Sequence, residues 1–329
     1  MPSEPVAGPA DVLRVAVWQD GKVREATGAA EVAAVLATPG PWTWIDVTSP
    51  SPATVGEIAG ILGLHPLIAE DILEGNQRPK IEVTDELVHL VAFAVRYGEA
   101  LDATEVDFVL GDRFLLSAHG PNWEPRASHQ LRGGLASSMA KGPDHLLWAL
   151  LDNIVDNYFP CMDRIGDEID ALEDDVINQA SRAALQRLFV LKRDLIAMRR
   201  SISPMREIFN QLTNRDLALI NREEIIYFRD VYDHLIRITD ELDTHRELVS
   251  GTLEVYLTTV NNNLSLIMKR LTGVTVILAG VGAVAGVFGM SEAALAVSNA
   301  EGSGFWLITA LIAAFAVAAT VFLRRIDWL

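Results

Sequence analysis

The chain has 329 residues, 27 Lys and Arg against 44 Asp and Glu, a net charge of -17 and a mean hydropathy of +0.22. A surplus of negative charge this large argues against a nucleic-acid partner, which needs basic surface, and suits cations as partners. A single cysteine, Cys161, excludes an intrachain disulfide and fits a reducing compartment.

Residues 1–10, MPSEPVAGPA, read as a disordered tail; they hold no basic n-region or apolar core, so no cleaved signal peptide is expected. Residues 11–120 read as a cytoplasmic α/β domain. Strand-like runs fall at Leu13–Trp18, Trp42–Val47, Leu87–Tyr97, Val106–Leu110 and Arg113–Ala118, and a helix follows SPSP over Thr54–Leu62. The domain carries no Gly-rich phosphate loop and no Cys/His cluster. The seven histidines are scattered, without metal-hydrolase spacing, so an enzyme is not expected.

Over residues 121–220 the strand signals vanish, and Asp144–Ala180 and Ser181–Thr213 read as two long cytoplasmic helices. The first carries Asp163, Asp167, Glu168, Asp170, Glu173, Asp174 and Asp175; the second carries Arg182, Arg187, Lys192, Arg193, Arg199 and Arg200. Two readings stand: a helical hairpin whose charges complement each other, or an acidic surface that concentrates cations near a pore mouth.

Residues 221–291 organise the rest. Phe228, Val231, Leu235, Ile238, Leu242, Val249, Leu253, Tyr256, Val260 and Leu264 recur at amphipathic helical spacing. From Leu271 to Ser291 no formal charge occurs, a length able to cross the roughly 30 Å hydrocarbon core. A continuous helix of this kind is a rod of about 105 Å, which needs lateral partners. Residues 292–304 form a loop holding Glu292 and Glu301, and residues 305–323 are a second uncharged span. Lys269 and Arg270 flank the first span; Arg324 and Arg325 in the 324–329 tail flank the second. The positive-inside rule therefore places both termini in the cytoplasm, with a small acidic loop outside.

Three blocks carry a family resemblance: LHPLIAEDILEGNQRPKIE at 64–82, YFRDVYDHLIRITDELDTHRELVSGTLEVYL at 227–257, and MKRLT at 268–272 leading to GVFGM at 286–290. Together with the two-span ending, they resemble the CorA family of divalent-cation transporters from about Trp42 to the terminal WL. The resemblance implies an α+β cytoplasmic domain, long helices and a C-terminal two-helix transmembrane hairpin, assembled as a funnel-shaped homopentamer in the cell inner membrane. It implies Mg2+ uptake, with Co2+ or Ni2+ as further substrates, driven by membrane potential and closed by intracellular Mg2+ bound between subunits. Mg2+ would be both cargo and regulator, with no organic cofactor.

One departure stands out. The family signature Gly-Met-Asn reads here as Gly289, Met290 and Ser291. In the family the asparagine ring receives the hydrated ion, and Mg2+ dehydrates reluctantly, so a filter that binds through its waters avoids a large cost. Serine is shorter and leaves a wider ring. Inward of Ser291 the resemblance and helical register give a pore stripe of Gly286, Gly282, Ala279, Thr275, Leu271 or Thr272 (Leu271 preferred), Met268, Ser265 and Asn261 or Asn262 (Asn262 preferred). Met268 and Leu271 would then form an apolar gate. Gly280 stands where the family often has proline. Gly282-x-x-x-Gly286 equally suits close helix packing. Asp71 and Asp230 match the positions of the regulatory ion, or serve as salt-bridge and helix-end charges. Glu292 and Glu301 would crowd ten carboxylates at the outer mouth, or are ordinary loop residues. Two alternatives to the magnesium channel remain: a ZntB-like zinc transporter, coupled to protons, and a non-conducting membrane-anchored sensor or scaffold.

Overall fold

The computed structural model describes residues 11–98, 100–128, 131, 134–215, 217–289, 303–326 and 328. Residues 1–10 and most of the loop 292–304 therefore lie outside the described residues, as do Met290, Ser291, Glu292 and Glu301.

A seven-stranded sheet forms first. Its strands are β1 (Val12–Gln19), β2 (Lys22–Ala26), β3 (Trp42–Thr48), β4 (Lys80–Val83), β5 (Leu87–Tyr97), β6 (Leu101–Gly111) and β7 (Phe114–His119), in the order β2-β1-β3-β7-β6-β5-β4. All neighbours are antiparallel except β3 and β7. The β1–β2 hairpin turns on Asp20 and Gly21, both at positive φ (50° and 76°), the backbone that an Asp-Gly hairpin turn requires. Period-2 alternation decides which side chains face each layer. Val15, Val17, Ile45, Val47, Val109, Leu116 and Ala118 point to a core closed by three helices, α1 (Ala29–Ala37), α2 (Pro52–Leu62) and α3 (Pro66–Glu74).

The opposite face is covered by α5 (Pro143–Asp156), preceded by the short α4 (Leu135–Met139), and α5 lies across β3, β5, β6 and β7. Both faces being covered, β3 and β7 are buried almost throughout, and their polar side chains need internal partners. Ser117 Oγ donates to Asp46 Oδ1 at 2.6 Å, and Trp44 Nε1 donates to Ser117 Oγ at 3.0 Å.

Three longer helices follow: α6 (Tyr158–Asn178), α7 (Arg182–Asn214) and α8 (Ile225–Gly289). The expected single helix over 144–180 is two, interrupted at Asn157. Pro160 is the physical reason: it has no N–H to donate back across the junction, and its ring crowds the preceding turn. The stripe Phe228, Val231, Leu235, Ile238, Leu242 and Val249 is fully buried, Phe228 against Phe209 of α7 at 6.2 Å between ring centroids. Among the charges of α6 and α7, Glu168 accepts from Tyr97 of β5 at 2.6 Å, and Arg199 pairs with Asp243 of α8 at 3.0 Å. His245 is buried against Gly166, where a glycine leaves room for its ring.

The chain divides into two compact units, Met1–Leu172 with Gln186–Gly251, and Glu173–Leu185 with Thr252–Leu329. In the second unit the lower half of α8 packs on α9 (Ser303–Arg325). Among the described residues, α8 holds the stretch long and apolar enough to cross a membrane, and little of that stretch is buried within the protomer.

Candidate ion pathway and regulatory carboxylates

The apolar part of α8, long enough to cross a membrane, has two unlike faces. Gly273, Ile277, Gly280, Val281 and Val284 are wholly or partly buried and recur three or four residues apart. A Cβ added at Gly280 would run into the Phe315 ring of α9, so glycine is what lets the two helices meet there. The matching face of α9 is Ile312, Ala316, Ala319, Thr320 and Leu323.

The expected pore residues lie on the other side. At about 100° per residue, Met268, Leu271, Thr275, Ala279, Gly282, Gly286 and Gly289 fall within about 80° of one another, opposite Gly280. All seven are exposed in the protomer, and a Cβ at Gly282 or Gly286 would meet nothing within 4 Å. These two glycines are therefore not used to pack α9. Ser265 sits about 40° beyond the stripe, and Asn262 returns to the phase of Gly280, five whole turns away. In a straight helix Asn261 continues the stripe better than Asn262. Asn261, Asn262 and Ser265 are all exposed.

In the first unit, local signals build the helix that carries Asp71. His65 caps α3, its Nδ1 accepting from Leu67 N–H at 3.2 Å; Pro66 opens the helix and Gly75 closes it at φ 54°. Ile68 and Ile72 face the core, which places Asp71 at the edge of the layer, its side chain 19% exposed. Lys80, the first residue of β4, donates to Asp71 Oδ2 at 2.6 Å and to Glu82 Oε1 at 2.8 Å. Burial by itself would lower the pKa of the Lys80 ammonium, but its bonds to Asp71 and Glu82 outweigh burial and raise it.

Two further carboxylates, on β6, lie close enough to feel Asp71. Asp107 Oδ1 meets His89 Nε2 at 2.9 Å, both side chains being almost fully buried, and burial raises the Asp107 pKa against the pull of His89. Glu105 accepts from Gln77 N–H at 2.9 Å; burial first, then the Asp107 charge, pushes its pKa up to about 7. A carboxyl whose folded pKa lies above its unfolded value of 4.5 retains a proton that the unfolded chain has lost. Stability from this group is full below pH 4.5 and is lost as pH rises to about 7. Glu105→Gln, which keeps the acceptor for Gln77, is expected to raise the melting temperature of the protein in detergent at pH 8 and to leave it unchanged at pH 4. Equal effects at both pH values would refute the assignment.

Asp230 on α8 is 70% exposed and lies 3.9 Å from His234 Nε2, one turn on. With Asp152 of α5 these form a set whose ligand atoms all lie within 4.8 Å of one another. His234 Nδ1 is also 3.4 Å from Asp156 Oδ1. The spacing suits one ion held partly through water: octahedral Mg2+ at about 2.1 Å places its direct ligands no more than about 4.2 Å apart. Carboxylates match Mg2+, and an imidazole adds affinity for Co2+ or Ni2+. Sequence reasoning named Asp230 and did not place Asp152 or His234 beside it. The available signal was an aspartate set in the apolar run LLWALLDNIV, on the face that α5 buries.

The chain is 34% identical over 294 residues to the cobalt/magnesium transport protein CorA of Thermotoga maritima, covering 87% of this chain and 83% of that protein. It is 28% identical to the putative metal ion transporter YfjQ of Bacillus subtilis, over 87% of this chain and 90% of that one. Among solved structures, the complete CorA magnesium transporter of Methanocaldococcus jannaschii matches with TM-score 0.76 at 20% identity, covering 97% of this chain and 99% of the other. The ZntB cytoplasmic domain of Vibrio parahaemolyticus is more distant, at TM-score 0.58 and 17% identity over 76% of this chain and 99% of that domain. The CorA-like Mg2+ transporter protein model matches residues 40–325. A transporter family is thus matched from β3 through the long helices to the end of α9: this chain belongs to the CorA-like Mg2+ transporters.

Proposed function

We propose that the chain forms a homopentameric channel in the inner membrane for divalent cations, Mg2+ foremost and Co2+ or Ni2+ in addition. The α8 helices line the central pathway and the α9 helices stand outside them in the lipid. The observation that carries this is the division of α8 into a face packed on α9 through Gly280 and Phe315 and an opposite face, Met268 to Gly289, left open. Leu257, Val260, Leu264 and Ile267 are exposed apolar residues on the same helix, which suit contact with further copies of α8. The Thermotoga maritima relative is by name a cobalt/magnesium transport protein. Both termini lie in the cytoplasm, where Lys269, Arg270, Arg324 and Arg325 flank the spans.

The stripe supplies small side chains, hydroxyls and two apolar residues and no charge. It thus passes a hydrated ion without stripping its waters, and a dication moving inward through 100 mV gains about 4.6 kcal/mol, twice the single-charge value. Gly289, Met290 and Ser291 form the outer filter, and Glu292 and Glu301 raise cation concentration at its mouth. In the cytoplasm Asp230 of one subunit, with Asp152 and His234 beside it, and Asp71 of the next hold the regulatory Mg2+ that closes the pore.

The test is divalent uptake into proteoliposomes loaded with a Mg2+-sensitive dye, under an inside-negative potential and then with a pH gradient. Mg2+ entry driven by potential alone is the expected result. Zinc entry accelerated by an inward proton gradient, with Mg2+ excluded, would put the zinc-transporter reading in its place, and silence for every ion would leave a scaffold.

A further inference from the structure

We propose that Lys80 is a tethered cation that occupies Asp71 when no ion is bound, and that the regulatory divalent ion must displace it. Lys80 then sets the Mg2+ concentration at which the cytoplasmic sensor responds. The inference rests on the reading of Asp71 as a regulatory ligand and adds to it the competitor.

Three features of the geometry carry it. Lys80 Nζ makes its shorter contact, 2.6 Å, to Asp71, the carboxylate that a neighbouring subunit's ion would need. Its second contact, 2.8 Å, is to Glu82, whose side chain is 54% exposed. An ammonium driven off Asp71 thus has a partner to stay with and is not stranded. The third feature is the surrounding charge. Lys80 pairs across the strands with Val91, and Val91 with Asp107, so Asp107 stands on the same face of the sheet two strands away; Glu105, two residues on, stands there too. Asp71 and Glu82 therefore hold the lysine directly, Asp107 feels its charge from two strands away with His89 against it, and Glu105 stands beside Asp107 and feels Asp71.

In such a field one positive charge is less than the carboxylates draw in. A dication brings twice the charge of an ammonium to the same place, so it wins at sufficient concentration, and the ammonium sets how much is sufficient. The device has an opposite effect on the ion-free protein. There Lys80 neutralises carboxylates that would otherwise repel one another, so its loss destabilises the ion-free form while favouring the ion-bound one. A lysine that merely shaped the site would move both in the same direction, because a distorted site binds Mg2+ less well.

The experiment titrates the full-length protein in detergent with MgCl2 at constant ionic strength and reads protection from limited proteolysis. Thermal unfolding without Mg2+ is measured alongside. For Lys80→Met, half-protection is expected at about two- to fivefold lower Mg2+ than in the wild type, the range that a partly exposed ion pair supports. Unfolding without Mg2+ should come at a lower temperature. Lys80→Gln should match Lys80→Met in direction, which guards against a folding defect peculiar to one variant, and Lys80→Arg should stay near the wild type. Half-protection unchanged or shifted to higher Mg2+ in both neutral variants, with Asp71→Asn still weakening protection, would overturn the role of Lys80 and leave the regulatory site standing. If the wild type shows no Mg2+ protection, both readings fall together.

Discussion

A Gly282→Leu protein is expected to insert and assemble as the wild type does and to carry less than about a tenth of its Mg2+ flux, because a ring of leucines forms an apolar constriction that expels water. The reasoning is geometric. A Cβ at Gly282 meets nothing within 4 Å in the protomer, so the new side chain costs no packing against α9. Whatever it obstructs lies on the side of α8 turned away from α9. Gly280→Leu, only two residues earlier, should behave in the opposite way. Its side chain collides with Phe315, and overpacking of this kind costs about 1–3 kcal/mol. Less assembled protein should be recovered, with flux per assembled channel retained. Phe315→Ala should restore the yield of Gly280→Leu, since the two positions share one contact and their effects are not additive. Flux per channel and the yield of assembled protein by size-exclusion chromatography separate the two variants. A conducting Gly282→Leu beside a well-assembled but silent Gly280→Leu would mean that the faces of α8 are reversed.

The parts that could be read from the sequence are those where periodicity runs long. In α8 ten apolar positions recur at helical spacing over more than thirty residues, and six of them, Phe228 to Val249, are buried as expected. The stripe then continues through Leu253, Tyr256, Val260 and Leu264, half-buried at first and exposed by Val260. That change from buried to exposed depends on what packs alongside, which no single-chain pattern records. Short elements escape such a reading. The β1–β2 hairpin depends on Asp20-Gly21, a two-residue signal between strands of modest alternation, and α3 depends on Pro66 and Gly75 around nine residues. Pro160 splits the expected 144–180 helix, a one-residue signal inside a long periodic run. The site residues show the same division. Asp230 sits in a long recognisable block, whereas Asp152 comes from another helix and meets it only through the fold. The Lys80–Asp71 pair likewise spans a helix, a loop and the first residue of a strand.

Asp230→Asn is expected to raise the Mg2+ needed for half-protection from proteolysis about tenfold, equivalent to about 1.4 kcal/mol, and to leave the uptake channel open at Mg2+ levels that close the wild type. Asp230 is the cleaner position at which to test the site, because its side chain is 70% exposed and its removal leaves no buried charge unpaired. Asp152 is nearly buried, so neutralising it would mix loss of a ligand with loss of fold stability. His234 separates the ions. Mg2+ is served by carboxylates and water, so His234→Gln should leave the Mg2+ response within about twofold, while Co2+, which an imidazole favours, should lose about tenfold in half-protection. A Co2+ response that survives His234→Gln unchanged would remove the imidazole from the site. An unaltered Mg2+ response in Asp230→Asn would remove the carboxylate as well, and with it the case that closure is sensed where α5 and α8 bring Asp152, Asp230 and His234 together.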